Sequence, residues 1–275
     1  MSRLRKEKLG RLRYILQEMG GTVIAFSGGV DSTFLLRVAL EVMGDRAVAV
    51  TALSPTYPAS EQEEARQLAR ELGARHILIH TLEVETSSFT NNPPDRCYHC
   101  KKELFTKLWQ VAKKEGLEQV ADGSNLDDLA DYRPGREAAR ELKVRSPLQE
   151  AGLTKEDIRY LSREFGLSTW NKPALACLSS RFPYGTKITR EKLFQVEKGE
   201  KILRSLGFQQ FRLRHHGHLA RIEVLPEQFP LLLETAQKVI EKLKKCGFLY
   251  VTMDLEGYRP GSMNETLVQG TEKHE

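Results

Sequence analysis

The chain has 275 residues, 40% of them hydrophobic, with 42 Lys and Arg against 37 Asp and Glu and a formal net charge of +5. That length can bury one sizeable core and a second, smaller one, while the slight basic excess, well mixed with acid, suits anionic ligands and allows, without implying, dedicated nucleic-acid binding. No apolar run is long enough to span a bilayer, and the charged start (Arg3, Arg5, Lys6, Lys8) leads into no apolar segment, so a cytoplasmic protein without membrane partners is expected.

In chain order, Leu4, Leu9, Leu12 and Leu16 are spaced for a helix that leads into a β-branched strand over 22–26. The pattern then predicts helix over 34–43, strand over 47–53, helix over 60–72, strand over 76–81, helix over 104–112 and a short strand over 119–123. Such alternation specifies an α/β fold, a parallel sheet covered on both faces, with ligands beyond the carboxyl ends of its strands. The turn after the first strand, Ser54, and 122–125 share that edge. After Lys172-Pro173 the order becomes helix (188–206), strands (211–214, 219–225), helix (229–243) and strand (248–255), which predicts a small α+β domain with an antiparallel sheet. The expected division is therefore a first domain over 1–184, a second over 185–260, and a disordered tail over 261–275.

The densest chemical signal lies where the first strand becomes a helix: Ala25 and Phe26, then Ser27-Gly28-Gly29, then Val30, Asp31 and Ser32. Two residues without Cβ atoms let backbone N–H groups approach an anion, and the following helix aims its positive end at the same point. A Walker A loop would carry a lysine followed by Ser or Thr, and none is present, which weakens a kinase or GTPase reading. Ser-Gly-Gly-Val-Asp-Ser instead matches the PP-loop of ATP pyrophosphatases, which split ATP into AMP and pyrophosphate. On this reading 25–32, Ser54 and Gly123 hold ATP. With no lysine in the loop, Mg2+ carries more of the charge on the leaving pyrophosphate, and Asp31 belongs to its environment. The plain alternative is a strand-to-helix turn with two glycines.

Four cysteines in such a chain point to metal or catalytic duty rather than a disulfide scaffold. Cys97-Tyr98-His99-Cys100 spaces two thiolates for one centre, and Cys177 offers a third. Three ligands leave one iron of a [4Fe-4S] cluster open to sulfide. Zinc, with His99 or Cys246 as fourth ligand, and a redox pair are the alternatives, and Cys246 alone reads as a small core residue.

Three segments, the PP-loop, Asp122-Gly123-Ser124-Asn125-Leu126-Asp127-Asp128 with Asp131-Tyr132-Arg133-Pro134-Gly135, and Lys172-Pro173 through Ser179-Ser180-Arg181-Phe182-Pro183-Tyr184-Gly185, together resemble the LarE family across about residues 10 to 260. The resemblance implies an ATP-dependent sulfur transferase. It would adenylylate a carboxylate of a pyridinium biscarboxylic acid mononucleotide and replace oxygen by sulfur, in synthesis of the nickel-pincer nucleotide cofactor. In one branch of the family the cysteine matched by Cys177 gives up its own sulfur; in the other, three cysteines carry an iron-sulfur cluster. Cys97, Cys100 and Cys177 match the second branch, with the sacrificial route as alternative. The resemblance further implies that Ser180, Arg181, Arg212 and Arg214 bind the mononucleotide phosphate, with Glu200 and Glu223 nearby as candidates for a divalent cation, and that the protein is a homo-oligomer. Asp127 and Asp128 are candidates for a divalent cation or a ribose, or are solvated loop carboxylates. Arg212 and Arg214, two apart on a strand, face the same way, although a solvated strand face paired with nearby acids would read alike. His215, His216 and His218 read as an exposed turn around Gly217. A tRNA thiolase shares the loop and cysteines but needs a larger basic surface, and a zinc-binding scaffold is the non-catalytic rival.

Overall fold

The computed structural model describes residues 1–130, 134–173, 176–259 and 261–265. By contact the chain divides into two units, Met1–Glu83 with Asp95–Leu175, and Val84–Pro94 with Ala176–Glu275. Among the described residues no helix is long and apolar enough to cross a membrane.

The first unit opens with helix α1 (Arg3–Met19), N-capped by Ser2. Strand β1 (Thr22–Ala25), helix α2 (Val30–Met43), strand β2 (Ala47–Leu53), helix α3 (Ala59–Glu71) and strand β3 (Arg75–His80) follow. Helix α4 (Ser87–Thr90) falls in the second unit. The first unit then resumes with α5 (Arg96–Glu115), β4 (Val120–Ala121), α6 (Gly135–Glu141), α7 (Pro147–Glu150) and α8 (Lys155–Glu164). The four strands lie in the order β3-β2-β1-β4, all parallel. Strand alternation sends Ile24 into a core with Leu12, Leu16, Phe34 and Leu161, and Val23 into another with Val48, Phe105 and Leu108. Helices thus cover both faces, as a parallel sheet requires.

Helix α5 begins eight residues before the expected 104, which places Cys97 and Cys100 within its first two turns. Helices α6, α7 and α8 were not legible, being only 7, 4 and 10 residues long and largely polar outside a narrow stripe. What fixes α8 is a capping box: Thr154 accepts from Asp157 N and the Asp157 carboxylate accepts from Thr154 N. Arg5 and Lys8 of α1 also bind that carboxylate, at 2.9 and 2.5 Å.

In the second unit, α9 (Arg190–Ser205) precedes strands β5 (Phe211–His216) and β6 (Leu219–Val224), helices α10 (Phe229–Glu234) and α11 (Ala236–Lys245), and strand β7 (Tyr250–Met253). The sheet is mixed rather than antiparallel: β5 and β6 form a hairpin, but β7 runs parallel to β6 because helices carry the chain back across the sheet. The single expected helix over 229–243 is two, parted at Thr235.

Residues 176–184, which the sequence reading assigns to the first domain, group with the second unit. Leu178 and Phe182 are buried, Arg181 pairs with Glu200, and Asn92 Nδ2 donates to Pro183 O while Asn92 O accepts from Gly185 N. The start of the expected disordered tail is ordered: Ser262–Asn264 forms a 3-10 turn with Ser262 buried. Residues 266–275 lie outside the described residues, as do Asp131, Tyr132, Arg133, Ala174 and Leu175 of the motifs above.

Candidate active site

The loop from β1 to α2 has the geometry of an anion cradle. Gly28 sits at φ +69°, and a Cβ there would lie 3.1 Å from Ala65 Cα and Cβ, so only glycine fits without displacing α3. Gly29 caps α2 with no side-chain hydrogen bond, which leaves the positive end of the helix for a ligand. The turn is braced from within: Ser32 Oγ accepts from Ser27 N at 3.3 Å and lies 3.2 Å from Ser27 Oγ. Ala25, Phe26 and Val30 support it from the strand and helix, with Phe26 and Val30 buried. Gly123, just past β4, packs on the same turn, where a Cβ would meet Ser32 N at 3.1 Å.

Asp31, in the first turn of α2, pairs with Lys155 from the first turn of α8. Burial raises the Asp31 pKa, opposed by the Lys155 ammonium, while the Asp128 charge adds to the rise. Asp31 Oδ1 is buried with no hydrogen-bond partner among the described residues. A carboxylate oxygen left bare in this position, beside other acids, fits a divalent cation. Asp127 and Asp128 do local work as well: Asp127 Oδ2 accepts from Lys155 N at 2.8 Å and Asp128 Oδ2 from Asn125 N at 2.9 Å. Ser54, expected to face ATP, is buried, and its hydroxyl donates to the buried Glu83 carboxylate.

Cys97 is exposed and Cys100 half-buried, one helical turn apart near the start of α5. They belong to the first unit. In the second unit Cys177, half-buried, immediately precedes the 3-10 turn Leu178–Arg181. Its carbonyl is held by three donors: Ser180 N at 3.0 Å, Ser180 Oγ at 2.8 Å and Arg181 Nη1 at 3.1 Å. Arg181 in turn is clamped by Glu200 through both carboxylate oxygens, at 2.8 and 3.0 Å. All four cysteines are thiols, and among the described residues of either unit no three His, Cys, Asp or Glu side chains gather around a common metal position.

The remaining expected residues lie on the β5–β6 hairpin. Arg214 makes a bidentate pair with Glu223 at 2.9 and 2.7 Å, and Arg212 on the same face pairs with no acid among the described residues. Glu200 and Glu223, candidates for a cation, thus spend their oxygens on guanidinium groups. The histidines are no exposed turn as a group: His215 and His216 are in β5, and His215 is buried between Phe182 and Phe248 with Nε2 3.0 Å from Gln195 Oε1.

No family model matches the chain. A pyridinium-3,5-bisthiocarboxylic acid mononucleotide synthase of Lactiplantibacillus plantarum is 43% identical over 256 residues, which cover 92% of each chain. The chain belongs to the LarE family. An uncharacterized protein of Synechocystis is 46% identical over 266 residues, 96% of this chain and 99% of its own. More distant is a tRNA-specific 2-thiouridylase MnmA of Rickettsia africae, 26% identical over 227 residues, 68% of this chain and 61% of the thiouridylase. This LarE-family chain is accordingly an enzyme, a sulfur transferase of the PP-loop type, and the PP-loop implies use of ATP.

Two lysines at the LarE-family loop had no role in the sequence reading. Lys155 reaches Asp31, and Lys172 Nζ lies 3.3 Å from Gly28 O while pairing with Glu61 and Glu64 at 2.9 Å. The only signal for Lys155 was the Thr154–Asp157 spacing of a capping box, which places a helix start there.

Proposed function

We propose that this chain uses ATP to adenylylate a carboxylate of pyridinium-3,5-biscarboxylic acid mononucleotide and then exchanges the activated oxygen for sulfur, in synthesis of the nickel-pincer nucleotide cofactor. The observation that carries the reading is the uncapped start of α2 behind the left-handed Gly28 turn, with Asp31 and Lys155 beside it. The substrate carboxylate forms a bond to the α-phosphorus of ATP, and the bond to pyrophosphate breaks. Backbone N–H groups over 27–32 meet the charge that grows on the leaving group, and Lys155 adds a cation. Asp31, through its bare Oδ1, would hold Mg2+ together with the phosphates of ATP, and the ion would supply further positive charge for the pyrophosphate. In the second step a sulfur nucleophile adds to the acyl carbon and AMP departs with its electron pair.

Cys97, Cys100 and Cys177 would hold a [4Fe-4S] cluster, which when bound supplies the sulfur that is transferred. Helical spacing puts Cys97 and Cys100 on one side of α5, which supports their sharing one centre. The resemblance also supports a homo-oligomer in the cytoplasm. The test is anaerobic reconstitution with iron and sulfide, then a count of sulfur delivered per chain with ATP and the biscarboxylate. More than one sulfur per chain is expected. A single turnover in which iron-free protein loses the mass of hydrogen sulfide at Cys177 would move the chain to the sacrificial branch, and no pyrophosphate release at all would refute the activity.

A further inference from the structure

Phe26 is the first residue past the end of β1, and the peptide that joins it to Ser27 opens the glycine turn. Its own N–H still belongs to the sheet, donating to Val50 O at 2.9 Å. Its carbonyl is held by a side chain: Thr51 Oγ1 of β2 donates to Phe26 O at 2.7 Å, and His76 Nε2 of β3 lies 2.8 Å from the same hydroxyl. The three residues thus sit across three neighbouring strands, at the edge where the loop begins.

A threonine hydroxyl has one hydrogen, and here it points at Phe26 O, so Thr51 Oγ1 can only accept from the histidine. His76 Nε2 therefore carries a proton. Burial lowers the His76 pKa and the Arg66 charge lowers it further, so the ring is neutral and the hydrogen-bond network assigns it the Nε2–H tautomer. Phe26 meets that ring edge-on, with centroids 5.9 Å apart and planes at 87°, which fixes the imidazole plane. Both bonds form away from bulk water, since Thr51 and Phe26 are buried.

A peptide is planar with its N–H opposite its carbonyl, so tethering Phe26 O sets the direction of the Ser27 N–H. On the far side, Ser27 N donates to Ser32 Oγ at 3.3 Å, and Ser32 Oγ donates to Gly29 O at 3.3 Å. The short bond is on the carbonyl and the long one on the N–H, so an arriving anion can compete for the donor without turning the peptide. The peptide after Gly28 has a tie of its own, Lys172 Nζ on Gly28 O at 3.3 Å. Donors held in place before the charge arrives need no reorganisation when it does.

We propose that His76 and Thr51 are positioning residues for the nucleotide loop: the His76 Nε2–H orients the Thr51 hydroxyl, which holds the Phe26–Ser27 peptide with its N–H ready for an anion. The ligand class is the polyphosphate of a nucleotide; that it is ATP consumed in adenylyl transfer rests on the function proposed above.

ATP is the probe, titrated against the full chain and read by calorimetry, with Tm recorded for every variant. Thr51→Val, which keeps the shape and removes the hydroxyl, should weaken ATP binding about fivefold or more, while Thr51→Ser stays within about twofold of the parent. His76→Leu should weaken it about threefold, and His76→Gln, whose amide can donate in place of the ring, should restore it. Pyrophosphate release with ATP and the mononucleotide should fall in the same order, with KM for the mononucleotide unchanged. Nitrogen NMR of the imidazole in the parent chain should show the neutral Nε2–H form. A merely structural role would lower Tm and leave the ATP affinity of the folded chain alone. That result, a Ser variant as poor as Val, an Nδ1–H ring, or a parent chain that binds no ATP would overturn the proposal. ATP binding that depends on Thr51 and His76 in a chain that never releases pyrophosphate would uphold the positioning role and sink only the proposed reaction.

Discussion

Removing Glu200 should separate stability from chemistry in the second unit. Its Oε1 accepts from Arg181 Nε at 2.8 Å and Leu213 N at 3.2 Å, and its Oε2 from Arg181 Nη2 at 3.0 Å, with both side chains almost wholly buried. Glu200→Ala leaves a guanidinium without its counter-charge and a strand N–H without its acceptor. Breaking a buried pair from one side costs about 3–5 kcal/mol, most of it the stranded charge. For a chain of this size that lowers Tm by about 10 °C. Replacing both partners with apolar residues, Arg181→Met with Glu200→Leu, should recover much of that loss, since the desolvation cost disappears with the charges. The double variant nevertheless loses the donors from Arg181 to Ala176 O and Cys177 O, so it should melt near the parent and transfer sulfur poorly. Scanning calorimetry and a sulfur-transfer assay on the three proteins decide the matter. A loss below about 1 kcal/mol for Glu200→Ala, or full activity in a stable double variant, would refute the reasoning.

Three further outcomes are expected. Gly28→Ala forces a Cβ into Ala65 at a positive φ and should cost about 1–3 kcal/mol while abolishing pyrophosphate release, read by Tm and a pyrophosphate assay. His215, pushed down to about 4 by burial and by the nearby Lys192 charge, stays neutral in the fold but takes up a proton at about 6.5 when unfolded. Its stabilising effect is therefore complete above 6.5 and falls by about 3 kcal/mol as pH drops towards 4, and His215→Gln should flatten urea midpoints across that window. Asp157 is held down to about 2: burial works against the carboxylate, but hydrogen bonds from Lys8, Arg5 and Thr154 outweigh it. Stability from that group is present above the unfolded value of 3.8 and lost between 3.8 and 2, and Asp157→Asn should cost about 2 kcal/mol at neutral pH and less in acid, measured by urea titration.

The parallel sheet was legible because 22–26 and 47–53 are continuous apolar runs, each followed by small or polar turn residues, and local pattern decides such strands. Strand register was not legible. Arg212 stands directly opposite Glu223 and Arg214 opposite Arg221, yet the ion pair runs diagonally from Arg214 to Glu223, a choice made by burial and by Ser262 rather than by spacing. The buried role of His215 was hidden for the same reason, since Phe182 and Phe248 come to it from distant segments. The cradle itself was readable from Gly28 and Gly29, whereas the engagement of Ser54 by Glu83 depends on a residue 29 positions away.

Lys155 meets Asp31 across 124 positions of chain. A cation absent from a loop's own sequence can thus be delivered by the opening turn of another helix, and its aim is set by where that helix begins. Each residue of slippage would swing the ammonium by about 100° around the axis. The Thr154 cap therefore acts as an index mark for the nucleotide loop, and insertion of one residue between Thr154 and Lys155 should disarm the loop without altering any residue of the glycine turn.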